Sequence, residues 1–290
     1  MASLPPLRDV IATHGLAARK SLGQHFLLDL NLTARIVKAA GDLHGATVIE
    51  IGPGPGGLTR ALLDAEPDCV IAIEKDRRCR DALTALDAAA GDRLRLIDAD
   101  ALEIDEGELA QSEGVAERGL HVVANLPYNI STVLILKWLR QSAERPGLYR
   151  SLTLTVQKEV AERLCARPRT KAYGRLSVMC QWQAEATLCF DISARAFTPP
   201  PKVTSSVVRL VPRVAPIACG SWQALESVTR AAFGQRRKMM RSSLRGLALA
   251  GDGAAVLAAA GIVPTARAEE VDISGFCALA RAYQTLATKN

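Results

Sequence analysis

The sequence predicts an α/β fold: a mostly parallel sheet with helices on both faces and an antiparallel hairpin at one edge, followed by a smaller C-terminal helical domain. Three observations carry this. Short β-branched runs alternate with helical spacings from Thr47 to Ala166, and parallel strands need such crossovers. Two late strand-like runs, over 186–192 and 203–211, have no helix between them. After Pro212 the pattern turns wholly helical, punctuated by Gly and Pro. The expected divisions are an N-terminal arm over 1–18, an α/β body over 19–212 and a helical part over 213–290.

The arm carries the Pro5-Pro6 pair and reads as loosely held. Leu32, Ile36, Ala39 and Ala40 share a helical face over 31–40, closed by Gly41. Strands follow at 47–51, 69–74, 94–98, 120–125 and 152–157, and helices at 58–65, 76–90, 131–141 and 158–166. Ser131 is expected to cap its helix. Right-handed crossovers then place the helices on both faces. The two late strands pair antiparallel at the sheet edge. Beyond them, 222–233, 235–248, 253–260 and 273–287 read as helices.

The 290 residues, 49% of them apolar, suffice for one large and one small domain. Seven cysteines are scattered singly, with no Cys-x-x-Cys and no Cys/His pair at metal spacing. They read as reduced thiols, so no metal is expected and the compartment is cytoplasmic. No apolar run reaches the ~18 residues of a membrane span, and the first residues lack the apolar core of a secretory signal. Net charge is +6, concentrated late: from Arg195 onward 13 Lys and Arg stand against five Asp and Glu. A near-neutral body with a basic C-terminal part suggests a polyanionic partner; a basic but merely solvated surface gives the same count.

Four strand ends carry the chemistry. Val122 to Asn125 delivers Asn125-Leu126-Pro127-Tyr128 to the rim of the sheet, where open parallel sheets bind ligands. An amide carbonyl, a backbone carbonyl and an aromatic face suit a flat base with an exocyclic amino group. The strand over 47–51 runs into Gly52-Pro53-Gly54-Pro55-Gly56-Gly57. Such a loop opens both dinucleotide and adenosylmethionine sites, and Gly52, Gly54 and Gly57 fit the dinucleotide spacing too. Glu74, 22 residues after Gly52, stands where an acid accepts from ribose hydroxyls. Asp100 after the third strand could accept from an adenine amino group, or simply start a helix in solvent.

Gln24-His25-Phe26-Leu27, Glu50-Ile51-Gly52-Pro53-Gly54, Asp100-Ala101-Leu102 and Asn125-Leu126-Pro127-Tyr128-Asn129-Ile130-Ser131 resemble the ribosomal RNA adenine N6,N6-dimethyltransferases. So do Phe197-Thr198-Pro199-Pro200-Pro201-Lys202-Val203 and Phe233-Gly234-Gln235-Arg236-Arg237-Lys238. The likeness spans roughly residues 19–285 and is nearest to the small-subunit (16S) branch. It implies a Rossmann-like class I methyltransferase using S-adenosylmethionine, held by His25, Leu27, Gly52, Glu74, Asp100 and Asn125. The family usually has Asn where this chain has His25, and imidazole can still donate or accept.

The resemblance also implies the reaction. Asn125 and the Leu126 carbonyl accept the two N6 hydrogens of adenine, aiming its lone pair at the methyl group; Tyr128 and Phe197 hold the extruded base. The substrate is small-subunit rRNA within a pre-30S particle, and the enzyme works as a monomer away from membranes. Arg236, Arg237, Lys238 and Arg241 are expected to contact RNA, with Arg237, Arg241 and Arg245 on one helical face. The rival readings are a 23S rRNA dimethyltransferase of the macrolide-resistance kind, a non-catalytic nucleic-acid-binding assembly or transcription factor on the same scaffold, and, from the glycines alone, a dehydrogenase.

Overall fold

The computed structural model describes residues 4–16, 18, 23–114, 119–247 and 253–288. Residues 19–22, leading into the Gln24-His25 motif, and Ala248 lie outside them. The chain divides into two compact units, Met1–Ala161 with Thr187–Pro212, and Glu162–Ala186 with Arg213–Asn290. Residues 162–186 therefore belong with the C-terminal residues rather than with the α/β body. Hydrogen bonds explain it: Tyr173 donates to the Val271 carbonyl at 2.9 Å, and the Trp182 indole to that of Ile217 at 2.9 Å.

The first unit begins with helix α1 (Leu7–Thr13), where a loose arm was expected. Leu7 and Val10 on its inner face are buried. Val10 and Leu16 pack with Phe26, Cys79 and Ala82, which gives this short helix the tertiary support it needs. Strand β1 (Phe26–Leu27) and α2 (Leu30–Ala40) follow, α2 capped by the Asp29 carboxylate and closed by Gly41 at φ 92°.

The sheet then builds through β2 (Thr47–Ile51), α3 (Gly57–Asp64), β3 (Cys69–Ile73), α4 (Arg77–Ala90), β4 (Leu94–Ile97), α5 (Glu106–Ser112), β5 (Leu120–Asn125), α6 (Ser131–Glu144), β6 (Tyr149–Gln157) and α7 (Lys158–Leu164). After α8 (Arg175–Gln183) come β7 (Ala184–Ile192), β8 (Phe197–Thr198) and β9 (Ser205–Pro212). The seven-stranded order is β4-β3-β2-β5-β6-β9-β7. Strands β2 to β6 run parallel, and β9 is antiparallel to β6, with β7 beyond it at the edge. Every residue of β2 and β3 is buried, as a sheet covered on both faces requires. A separate ribbon pairs β1 with β8, Leu27 opposite Phe197.

Ser131 is not a cap. It is the first residue of α6, and its hydroxyl donates to the Tyr128 carbonyl at 3.1 Å, tying the helix back to the preceding turn.

The second unit contains α8, α9 (Trp222–Gly234), α10 (Met240–Ser243), α11 (Gly253–Ala260) and α12 (Ile273–Ala287). Tyr173, Phe233 and Phe276 form its aromatic centre, with ring centroids 6.0 and 5.4 Å apart. The helix expected over 235–248 is broken. Met239 bridges to Arg267, Met240 N–H donates to the Ala266 carbonyl and Arg241 N–H to that of Pro264. These amides thus find partners across the unit instead of one turn back, so Arg237 and Arg241 do not share a continuous helix. Among the described residues no helix is long and apolar enough to cross a membrane.

Candidate active site

The carboxyl ends of β4, β3, β2 and β5 stand side by side, and backbone bonds lock them in register. Gly52 N–H donates to the Ile73 carbonyl at 2.9 Å, and Glu74 N–H to that of Ile97 at 3.0 Å. The segment from Gly23 to Leu27 forms the facing wall. Between them lies a cleft of about 270 Å³, enough for one small-molecule ligand.

The glycine loop between β2 and α3 is pressed against β1. A Cβ on Gly54, at φ 56°, would stand 3.0 Å from the Phe26 ring, and one on Gly57 only 2.5 Å from the Leu27 carbonyl oxygen. Only bare backbone fits here, which lets the loop line the cleft.

Glu74 is 6% exposed, and both its oxygens are fixed by backbone amides: Gly54 N–H at 3.2 Å and Asp76 N–H at 2.8 Å. Burial raises its carboxyl above the usual range, although those amides oppose the shift. Asp100 is held by Lys75 at 2.6 Å and by Leu102 N–H at 3.0 Å. The Lys75 bond keeps its carboxyl below the ordinary range. Lys75 thus engages Asp100 Oδ2, an oxygen expected to accept from an adenine amino group.

Asn125, at the end of β5, donates its side-chain N–H to the His25 carbonyl at 2.8 Å. That bond turns Oδ1 the other way, and no described residue donates to Oδ1. The Leu126 carbonyl is likewise unengaged by any described residue. Tyr128 stands beside them, its ring 5.3 Å from the His25 imidazole and its hydroxyl 2.5 Å from Ser205 Oγ. His25 Nδ1 lies 2.8 Å from the Pro199 carbonyl.

His25, Leu27, Gly52, Glu74, Asp100, Asn125, Leu126 and Tyr128 therefore line one cleft. Phe197 does not. It is 2% exposed in the core beside Leu27, Val123 and Val207, and reaches the site only by meeting the His25 ring edge-on at 6.5 Å. Arg236, Arg237, Lys238 and Arg241 belong to the second unit. Arg236 is engaged by Glu269 at 3.1 Å and by the Thr170 carbonyl at 3.2 Å. Arg237, Lys238 and Arg241 are exposed and form no ion pair with a described residue.

Lys75 and Glu50 also line the cleft, and Ser205 stands behind it, bonded to the Tyr128 hydroxyl. Lys75 and Ser205 gave no separable signal in the sequence. Glu50 did, as an acid inside the apolar run of β2. It is 1% exposed, lines the cleft, and its Oε2 has no hydrogen-bond partner among the described residues. Burial, reinforced by the nearby Glu74 carboxyl, pushes it up to about 8.

A parallel sheet with a glycine turn after one strand, an acid after the next and an Asn-Leu-Pro-Tyr turn across the centre defines a Rossmann-like methyltransferase. The sequence profile described as ribosomal RNA adenine dimethylase matches residues 15–285, and the chain belongs to that family. It is 56% identical over 98% of its length to a ribosomal RNA small subunit methyltransferase A of Xanthobacter autotrophicus, covering 95% of that protein. It is 58% identical over 97% of its length to the protein of the same name in Paramagnetospirillum magneticum, covering 96% of that one. In fold it is similar to a dimethyladenosine transferase from Plasmodium falciparum, with TM-score 0.74 and 24% identity over 90% of this chain and 98% of that one. It is also similar to the 23S rRNA methyltransferase ErmE, with TM-score 0.63 and 27% identity over 89% of this chain and 99% of the other.

Proposed function

We propose that the protein dimethylates the N6 amino groups of adenosines in small-subunit rRNA, using S-adenosylmethionine, and acts as a cytoplasmic monomer on a pre-30S particle. The observation that carries this is a pair of acceptors that no described residue engages, Asn125 Oδ1 and the Leu126 carbonyl, beside the Tyr128 ring. An exocyclic amine with two hydrogens matches that pair, and a hydroxyl with one does not.

The residues present fit the cofactor. The glycine cradle admits no Cβ at Gly54 or Gly57, Glu74 has lone pairs left for ribose hydroxyls, and Glu50 keeps an orphaned oxygen in the wall. His25, Leu27, Gly52, Glu74, Asp100 and Asn125 would hold it. When bound, it supplies a methyl group made electrophilic by a sulfonium sulfur.

The work of the chain is positioning. Adenine N6 is a weak nucleophile because its lone pair is delocalised into the ring. Asn125 Oδ1 and the Leu126 carbonyl draw its two hydrogens to one side and favour a more tetrahedral nitrogen. Tyr128 supplies a flat face for the base, worth roughly 1–3 kcal/mol; Phe197 backs the His25 ring beside it. After transfer the N6 proton is strongly acidic and leaves to water without a dedicated base. Exposed Arg237, Lys238 and Arg241 supply phosphate contacts, and Arg236, tied to Glu269, braces their segment.

The test is incubation with labelled S-adenosylmethionine and undermethylated small subunits, with large-subunit RNA as a parallel arm, followed by nucleoside analysis. Dimethyladenosine in the small-subunit arm is expected. Label confined to the large-subunit arm would overturn the substrate assignment.

A further inference from the structure

The four strand ends form a row. Asp100 follows β4, Glu74 follows β3, Glu50 is the last residue but one of β2 before the Gly52–Gly54 turn, and Asn125 ends β5. A ligand with its base toward Asp100, its ribose on Glu74 and its transferable methyl toward Asn125 would have its sulfur near the end of β2. That is where Glu50 lies, buried and with Oε2 unpartnered among the described residues.

We infer that Glu50 is a buried counter-charge that makes the cleft prefer a sulfonium-bearing adenosyl ligand to the neutral thioether left after methyl transfer. This rests on the cofactor assignment above. Two groups from packed elements face Glu50: the Thr59 hydroxyl from α3 and the Glu74 carboxyl from β3. Neither brings positive charge. An ionised carboxylate in such a place is costly, so Glu50 holds a proton over much of the neutral range, consistent with its elevation to about 8. A cation placed over β2 favours the ionised form, and the proton leaves to solvent as the sulfonium ligand binds. The thioether carries no charge at sulfur and draws no proton out. Loss of the methyl group therefore removes the charge that Glu50 was matched to, and the spent ligand is released more readily.

The two ligands carry the same amino, carboxyl, ribose and adenine groups but differ in the charge at sulfur, which also acidifies the ligand's own ammonium group. The part of their difference that Glu50→Gln removes therefore reports the sulfur acting on Glu50. Titration calorimetry on the wild-type protein, in buffers of different ionisation enthalpy, measures proton release directly. S-adenosylmethionine is expected to release a fraction of a proton beyond that seen with S-adenosylhomocysteine. Its affinity relative to the thioether should rise from about pH 6.5 to 8.5 as Glu50 ionises more easily. In Glu50→Gln the excess release should shrink and the affinity ratio fall by about tenfold, the factor that one pKa unit represents. Equal proton release by both ligands in the wild-type protein would overturn the inference, whether or not the variant folds. So would an unchanged ratio in a folded Glu50→Gln. Failure of either ligand to bind would overturn the cofactor assignment with it.

Discussion

Asn125 and His25 are joined across 100 residues by one bond, the Asn125 side-chain N–H to the His25 carbonyl at 2.8 Å. The bond fixes which end of the amide faces the cleft. It also favours asparagine over aspartate at this position, since aspartate would set a carboxylate against a carbonyl oxygen. Asn125→Ala is expected to lose most turnover while RNA affinity stays near wild type, because the amide acts on a single amino group. Nucleoside analysis at saturating substrate, beside a filter-binding titration, separates the two. Substantial dimethyladenosine from this variant would remove Asn125 from the chemistry.

Glu74 is held by two backbone amides and is expected to accept from both ribose hydroxyls. Glu74→Ala should weaken S-adenosylmethionine binding by about 1.5–3 kcal/mol, the range for hydrogen bonds to a charged group. Calorimetry on the folded variant checks it, and unchanged affinity would contradict the assignment.

Ser205 and Tyr128 share a hydrogen bond at 2.5 Å, and Ser205 is fully buried. The serine acts through the ring it anchors. Ser205→Ala and Tyr128→Phe should each lower kcat more than they raise KM, and the double variant should be no worse than the poorer single one. Ser205→Thr should recover part of the loss. Additive effects would mean that the two residues act separately.

The exposed cations of the second unit should set the salt dependence of RNA binding. On a single strand each neutralised phosphate contributes roughly −0.7 to the slope of log K against log salt. Replacing both Arg237 and Arg241 by Glu should weaken RNA binding and flatten that slope, with S-adenosylmethionine affinity hardly moved. Since exposed charges contribute little to folding, the melting curve should stay near wild type. A slope equal to that of wild type would leave these residues as a solvated face.

The parallel strands were legible in the sequence because β2 and β3 are buried along their whole length and are rich in β-branched apolar residues. Glu74, directly after β3, stood out for the same reason. Helix α8 was not legible. It buries Leu176, Ser177, Val178, Met179, Cys180, Trp182 and Gln183, nearly all round, so no amphipathic stripe survives. Helix α5 buries Glu106, Gly107 and Ala110, residue types that announce no apolar face. The loss of helix over 235–239 was hidden too, since the amides of Met240 and Arg241 find their partners at Ala266 and Pro264. Strand-end identity pointed to Glu74, Asp100 and Asn125, and all three line the cleft. The Lys75 clasp and the Ser205 anchor depend on distances that spacing does not encode.

The ribbon between β1 and β8 has a consequence for synthesis. The wall carrying His25 and Leu27 is stitched to Phe197 and Thr198, about 170 residues later in the chain. A nascent polypeptide can assemble the parallel strands in turn, but it cannot fasten that wall until Thr198 has left the ribosome. At roughly 5–20 residues per second, the glycine loop and its acids wait on the order of ten seconds or more for their cover. An enzyme built to act on ribosomal RNA thus stays incomplete while most of it is still being made.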